Sequence, residues 1–230
     1  MNNVTRIIVV RHGNTFNSGD VILRVGSATD LPLTEKGIQQ GVAVGQALAQ
    51  AGFDCAAIFA APLQRTTRMA EEIGRFFPGS AVTVEKFLTE LDYGIDDGQP
   101  EDDIVLRLGI VEKAAGITPA TTLDELREAG KAALKRWDSE AVMPKGWRHL
   151  QDVPRMLEEA WSQFGIMVAE KFSGKTVIAV TSNGIARFSR VLLPGGGSEL
   201  EGNLKLSTGA YGVYESVDGK WCCRQWNVRP

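Results

Sequence analysis

Residues 6–13 read Arg6-Ile7-Ile8-Val9-Val10-Arg11-His12-Gly13, and they decide the fold. Four consecutive aliphatic residues without polar alternation are the pattern of a strand buried on both faces, as in the middle of a parallel sheet. Gly13 breaks the run into a polar loop that reaches about Leu33. Thr34 offers an N-cap and Glu35 a first-turn acid, so a helix is expected to Ala51, stopped by Gly52. Ala56-Ala57-Ile58-Phe59-Ala60 repeats the strand pattern, Pro62 introduces a helix over about 63–77, and Ala81-Val82-Thr83-Val84 is a third strand. This alternation predicts a mostly parallel sheet between helical layers, a three-layer α/β/α fold.

The rhythm changes after Gly98. Residues 100–150 are charged and helix-prone, with Thr122 and Glu125 at capping-box spacing and Trp137 and Trp147 to pack. They read as a helical cap inserted at about 99–150 in a single domain of residues 1–230. A further helix, about 153–172, leads to Thr176-Val177-Ile178-Ala179-Val180, the most strand-like segment in the chain. Ser182-Asn183-Gly184 reads as a turn before a helix from about Ile185 to Leu193. Leu204 to Glu215 and Lys220 to Trp226 read as a hairpin across Asp218-Gly219. Pro194-Gly195-Gly196-Gly197 lacks the lysine and the strand–helix context of a nucleotide cradle.

Composition narrows the function. Lys+Arg 25 against Asp+Glu 28 leaves a net charge of −3, with no basic excess, so no nucleic-acid partner is expected. No apolar run approaches the roughly 18 residues that span a bilayer. Met1-Asn2-Asn3-Val4-Thr5-Arg6 lacks a signal-peptide core. The three cysteines are odd in number, with Cys222 and Cys223 adjacent, which points to a reducing compartment. Cys55 reads as a buried small hydrophobe. A cytoplasmic protein without a membrane partner is the expectation. Two histidines, without CxxC or HExxH, exclude most zinc sites, so neither metal nor cofactor is expected. Oligomeric state stays open.

Ligands of open α/β sheets bind at the carboxyl ends of the strands. Arg11 and His12 stand there, with Gly13 permitting close backbone approach, and make an anion site with an attached nucleophile. The plainer reading is a capping Arg beside an incidental His. Arg65, in Ala61-Pro62-Leu63-Gln64-Arg65-Thr66, opens the next helix, where its guanidinium fork and the helix N-terminus can serve the same anion. Its plainer reading is a solvated helix face. Glu90-Leu91-Asp92-Tyr93-Gly94 supplies a carboxyl group after the third strand; otherwise residues 90–103 are an acidic, solubilising loop.

Arg11-His12-Gly13, Asp30-Leu31-Pro32-Leu33-Thr34-Glu35-Lys36-Gly37, the Arg65 segment and the Glu90 segment occur in that order. Together they resemble the histidine phosphatase superfamily, which includes the cofactor-dependent phosphoglycerate mutases. The resemblance runs from the first strand to the last hairpin and implies a phosphoglycerate mutase-like fold. It further implies a metal-independent, histidine acid phosphatase-type enzyme that hydrolyses a small phosphomonoester. His12 would be transiently phosphorylated, Arg11, Arg65 and Asn17 would hold the phosphoryl oxygens, and Glu90 would protonate the leaving alkoxide. Phosphoryl transfer rests on positioning and charge neutralisation, which such a set supplies.

Two departures qualify that reading. The family's second histidine, in a His-Gly turn after the fourth strand, is replaced by Asn183 before Gly184. Asn donates a neutral hydrogen bond, worth about 0.5–1.5 kcal/mol net against about 1.5–3 for a charged partner. A weakened enzyme follows, the alternative being a catalytically impaired phosphate-ester-binding protein. His149, the other imidazole, reads as a solvated or packing residue, or more sharply as a contribution from the cap. Leu91 occupies the position where the mutase branch carries an Arg, so a phosphoglycerate-mutase-type phosphomutase is the lesser reading. The slightly long spacing from His12 to Pro32-Leu33-Thr34 leaves the roles of Asn17 and Arg24 open.

Overall fold

A computed structural model describes residues 4–197, 200 and 204–230. Met1-Asn2-Asn3, the start of the segment inspected for a leader, lies outside the described residues. Strand β1 (Thr5–Arg11) is fully buried from Ile7 to Val10, as its unbroken apolar run requires. Helix α1 (Glu35–Gln50) begins at Thr34, whose side chain accepts the Gly37 N–H, and the chain leaves through Gly52 at φ 77°. Strand β2 (Cys55–Ala60), helix α2 (Gln64–Gly74) and the short β3 (Val82–Val84) follow. Helices α3 (Glu101–Lys113), α4 (Leu123–Glu140) and α5 (Val153–Lys171) precede β4 (Thr176–Thr181) and the one-turn α6 (Asn183–Ala186). Strands β5 (Tyr211–Val217) and β6 (Lys220–Val228) end the chain.

The sheet runs β3-β2-β4-β1-β5-β6. β3, β2, β4 and β1 are mutually parallel; β5 is antiparallel to β1, and β6 to β5. The sheet is therefore mixed, parallel at its centre and flanked by helices with a helical insertion. Period-two alternation splits β1 between two cores. Ile7 and Val9 pack with Trp161 and Phe164 of α5, while Ile8 and Val10 pack with Val44 of α1 and Met69 of α2. Burying each such aliphatic side chain stabilises by about 1.5–3 kcal/mol.

Two boundaries differ markedly from expectation. The helix expected from Ile185 starts at Asn183, because Ser182 adopts the extended N-cap backbone, and it tightens into 3-10 turns over Arg187–Leu192. The strand expected from Leu204 starts only at Tyr211. Gly209 N–H is taken by His12 O and Ala210 N–H by Ser207 O, so this stretch serves the site rather than the ladder. β3 is an exposed sheet edge. The Asp218-Gly219 turn has both residues at positive φ, 52° and 76°, as a two-residue hairpin demands.

Within the insertion, Thr122 and Glu125 form the full capping box. Gly109 and Gly130 let α3 and α4 cross backbone against backbone. A Cβ on either would stand 1.8 Å from a carbonyl oxygen of the facing helix. Trp137 and Trp147 meet edge-on, with centroids 6.0 Å apart, in the same core as Ile7 and Val9. Among the described residues, no helix is long and apolar enough to cross a membrane.

Candidate active site

The sheet register creates the site. Arg11 pairs with Thr181, so the carboxyl ends of β1 and β4 lie side by side and His12 is delivered next to Asn183. A cavity of about 660 Å³ opens there. Arg11, His12, Asn17, Glu90, Asn183 and Gly184 line it, although they come from three distant stretches of sequence.

His12 is buried, and its Nδ1 lies 2.8 Å from Gly13 O. A carbonyl only accepts, so Nδ1 carries the proton and Nε2 keeps the lone pair. Burial, then the charges of Arg65 and Arg11, hold the imidazole well below the usual histidine pKa, that is, neutral.

Glu90 is held by backbone. Its Oε1 accepts the Leu91 N–H at 2.9 Å, and its Oε2 accepts the Gly184 N–H at 3.1 Å. Thr181 Oγ1 donates to Leu88 O at 2.6 Å, tying the end of β4 to the segment that carries Glu90. The acidic stretch 90–103 is thus no solvated loop. Asp96 is buried on the Trp147 indole N–H and Arg107, and Asp97 accepts the N–H groups of Gly26 and Ala28.

Leu206 joins two of the anion-binding candidates. Its N–H donates to Asn183 Oδ1 at 2.9 Å, and its carbonyl accepts from Arg11 Nη1 at 2.7 Å. Because Leu206 N–H needs an acceptor, the amide orientation of Asn183 is settled and its Nδ2 is the remaining donor.

Arg65 and His149 sit elsewhere. Arg65 is fully buried behind the cavity wall, where Nη1 and Nη2 donate to Thr29 O and Gly26 O, each at 3.0 Å. It ties down the loop after His12, and its charge reaches His12 through space. His149 is exposed, meets Asp92 O at 3.0 Å and does not line the cavity. Asn17 stands on the exposed rim.

Sequence reading gave no role to five charged cavity residues, Arg24, Glu101, Asp138, Arg187 and Lys205. Arg24 pairs with Glu101 and stacks on Tyr93 and Trp147, each ring centroid 5.2 Å away. Arg187, 1% exposed, donates to Asn183 O at 3.2 Å, lies 4.0 Å over the Trp137 ring and pairs with Asp138, which also binds Lys205 at 2.7 Å. The four-residue step from Asn183 to Arg187 was a usable helical signal. The long-range Asp138 pairs left none. Among the described residues, no group of three or more His, Cys, Asp or Glu could hold a metal ion.

Residues 7–110 match the family model described as histidine phosphatase superfamily (branch 1). The chain is 32% identical over 152 residues to the probable phosphoglycerate mutase GpmB of Salmonella arizonae, covering 63% of this chain and 67% of that protein. It is 33% identical over 101 residues to fructose-2,6-bisphosphatase TIGAR B of Danio rerio, covering 43% of this chain but only 38% of the relative. Among solved structures, the phosphoglycerate mutase from Bacillus anthracis superposes with a TM-score of 0.71 at 20% identity, over 98% of this chain and 94% of that one. That last likeness speaks for the fold.

Proposed function

The chain belongs to the histidine phosphatase superfamily, and we propose that it is a metal-independent phosphomonoesterase working through a phosphohistidine at His12. One observation carries the reading: Gly13 O holds the Nδ1 proton, so a neutral Nε2 lone pair is presented in a cavity that also holds Arg11, Asn183 and Glu90.

Nε2 attacks phosphorus, the bond from phosphorus to the ester oxygen breaks, and that oxygen takes a proton from Glu90. A water then attacks the phosphohistidine and gives its proton to Glu90, and phosphate leaves with the imidazole restored. Arg11 and the Nδ2 amide of Asn183, both set by Leu206, neutralise and orient the transferred group, with Asn17 at the rim. Arg65 acts from behind the wall, through its charge and by fixing the loop. The 99–150 segment serves as a cap, contributing Glu101, Leu134, Trp137 and Asp138 to the cavity wall. His149 takes no part.

Incubation with a 32P-labelled phosphomonoester and quenching in alkali tests this. Label should be retained on the protein, be absent from His12→Ala, and appear in solution as inorganic phosphate. Transfer of label to a second alcohol would make the chain a phosphomutase. Ester binding with neither label nor turnover would make it a binding protein.

A further inference from the structure

A ring of hydrogen bonds and ion pairs closes on Asn183. Its backbone O accepts from Arg187 Nε at 3.2 Å, and its side-chain Oδ1 accepts the Leu206 N–H at 2.9 Å. Both partners lead to one carboxylate on the cap. Arg187 Nη2 pairs with Asp138 Oδ1 at 3.3 Å, and Lys205, the chain neighbour of Leu206, pairs with Asp138 Oδ2 at 2.7 Å. Arg187 Nη1 donates to Trp137 O in the last turn of α4, where a carbonyl lacks a helical partner and a cation is favoured. Burial opposes ionisation of Asp138, but Lys205 and Arg187 hold its carboxyl below the usual range, so it is charged at neutral pH. Arg187 is buried, and a buried guanidinium is fixed by its counter-ion.

We infer that Asp138 is a positioning residue: by holding Arg187 and Lys205 it seats both oxygens of Asn183, keeps the Nδ2 donor turned toward the phosphoryl group, and makes correct seating of the cap a condition of full activity. Only the assignment of the phosphoryl group to Asn183 rests on the phosphatase reading. The ring itself stands on the hydrogen bonds and ion pairs.

Amide hydrogen exchange and steady-state kinetics on the full chain test it. In Asp138→Asn the Leu206 N–H should exchange about 10-fold or more faster relative to the N–H of Ile178 in central β4, which follows global stability. Turnover should fall about 10-fold in kcat, part of the loss of a whole oxyanion donor, with KM within about twofold. In an Asn183→Ala background the same change should cost kcat less than about threefold, because the donor it positions is already gone. Lys205→Met, at a half-exposed side chain, should show both effects in smaller measure, and it decides the outcome if Asp138→Asn does not fold. Leu206 exchange that rises only as Ile178 does, unchanged kcat beside faster Leu206 exchange, or a rise in KM alone overturns the inference. If the wild type turns nothing over, hydrolysis falls, and the exchange rates alone decide whether Asp138 holds Asn183.

Discussion

Gly184 donates its N–H to Glu90 Oε2 at 3.1 Å, and a Cβ on Gly184 would stand 2.0 Å from Glu90 Oε1. The glycine is required by this approach of carboxylate to backbone, since no positive φ is involved. The two residues lie 94 positions apart, yet each decides the placement of the other.

Gly184→Ala should therefore displace Glu90. A positioned general acid contributes about 10²–10⁴-fold, so kcat on an ester with a poor leaving group should fall by at least about 10²-fold. Overpacking should lower stability by about 1–3 kcal/mol. Aryl esters with acidic phenols need less proton donation and should lose much less. Equal losses on both ester types in steady-state assays would rule out the acid role.

Asn183→Asp separates the two ends of that side chain. The carboxylate still accepts the Leu206 N–H, but the Nδ2 donor proposed for the phosphoryl group is gone and a negative charge replaces it. The loss of one oxyanion donor is worth about 10²–10³-fold in kcat, and the added charge should bring the variant to the upper end. A melting temperature close to wild type, measured by calorimetry, should accompany the loss. Wild-type turnover in the Asp variant would reduce Asn183 to a brace for Leu206.

His12 links activity and stability to pH. Burial and the Arg65 and Arg11 charges lower its pKa below 6.5, so the native imidazole stays neutral where the unfolded one gains a proton. Between the lowered value and 6.5 the unfolded chain binds more protons. This contribution is fully present above about pH 6.5 and is lost as pH falls toward the lowered value. Relative to His12→Asn, the wild type should lose unfolding free energy over that acid window, as denaturant titrations at several pH values would read. Arg65→Met should raise the His12 pKa, seen in imidazole 15N shifts. It should also destabilise by about 1–3 kcal/mol or more, because Gly26 O and Thr29 O lose their donor.

His149→Ala should leave kcat and KM within about twofold of wild type, because the ring faces Asp92 O and Gly94 outside the cavity. As an exposed substitution, it should change stability by about 0.5 kcal/mol or less. A tenfold fall in kcat would return the second imidazole to the mechanism.

Much of this molecule was legible in the chain. Ile7 to Val10 and Thr176 to Val180 announced central strands, since a strand buried on both faces has no polar alternation to offer. Thr34, Gly52, the Thr122–Glu125 box and Asp218-Gly219 announced their caps and turns, because these depend on residues a few positions apart. His12 and Glu90 were legible as residue types at strand ends.

The rest depended on distance in space. That Arg65 turns from the cavity to two loop carbonyls, that His149 faces outward, and that Leu206 orients Asn183 are outcomes of packing between segments 23 to 57 residues apart. Local chemistry thus determined the strands, the caps and the kinds of reactive group. Only the tertiary structure decided which of those groups meet and which charges arrive already paired, because a side chain's partners are selected by the register of the sheet and the seating of the insertion, neither of which is written in any short stretch of sequence.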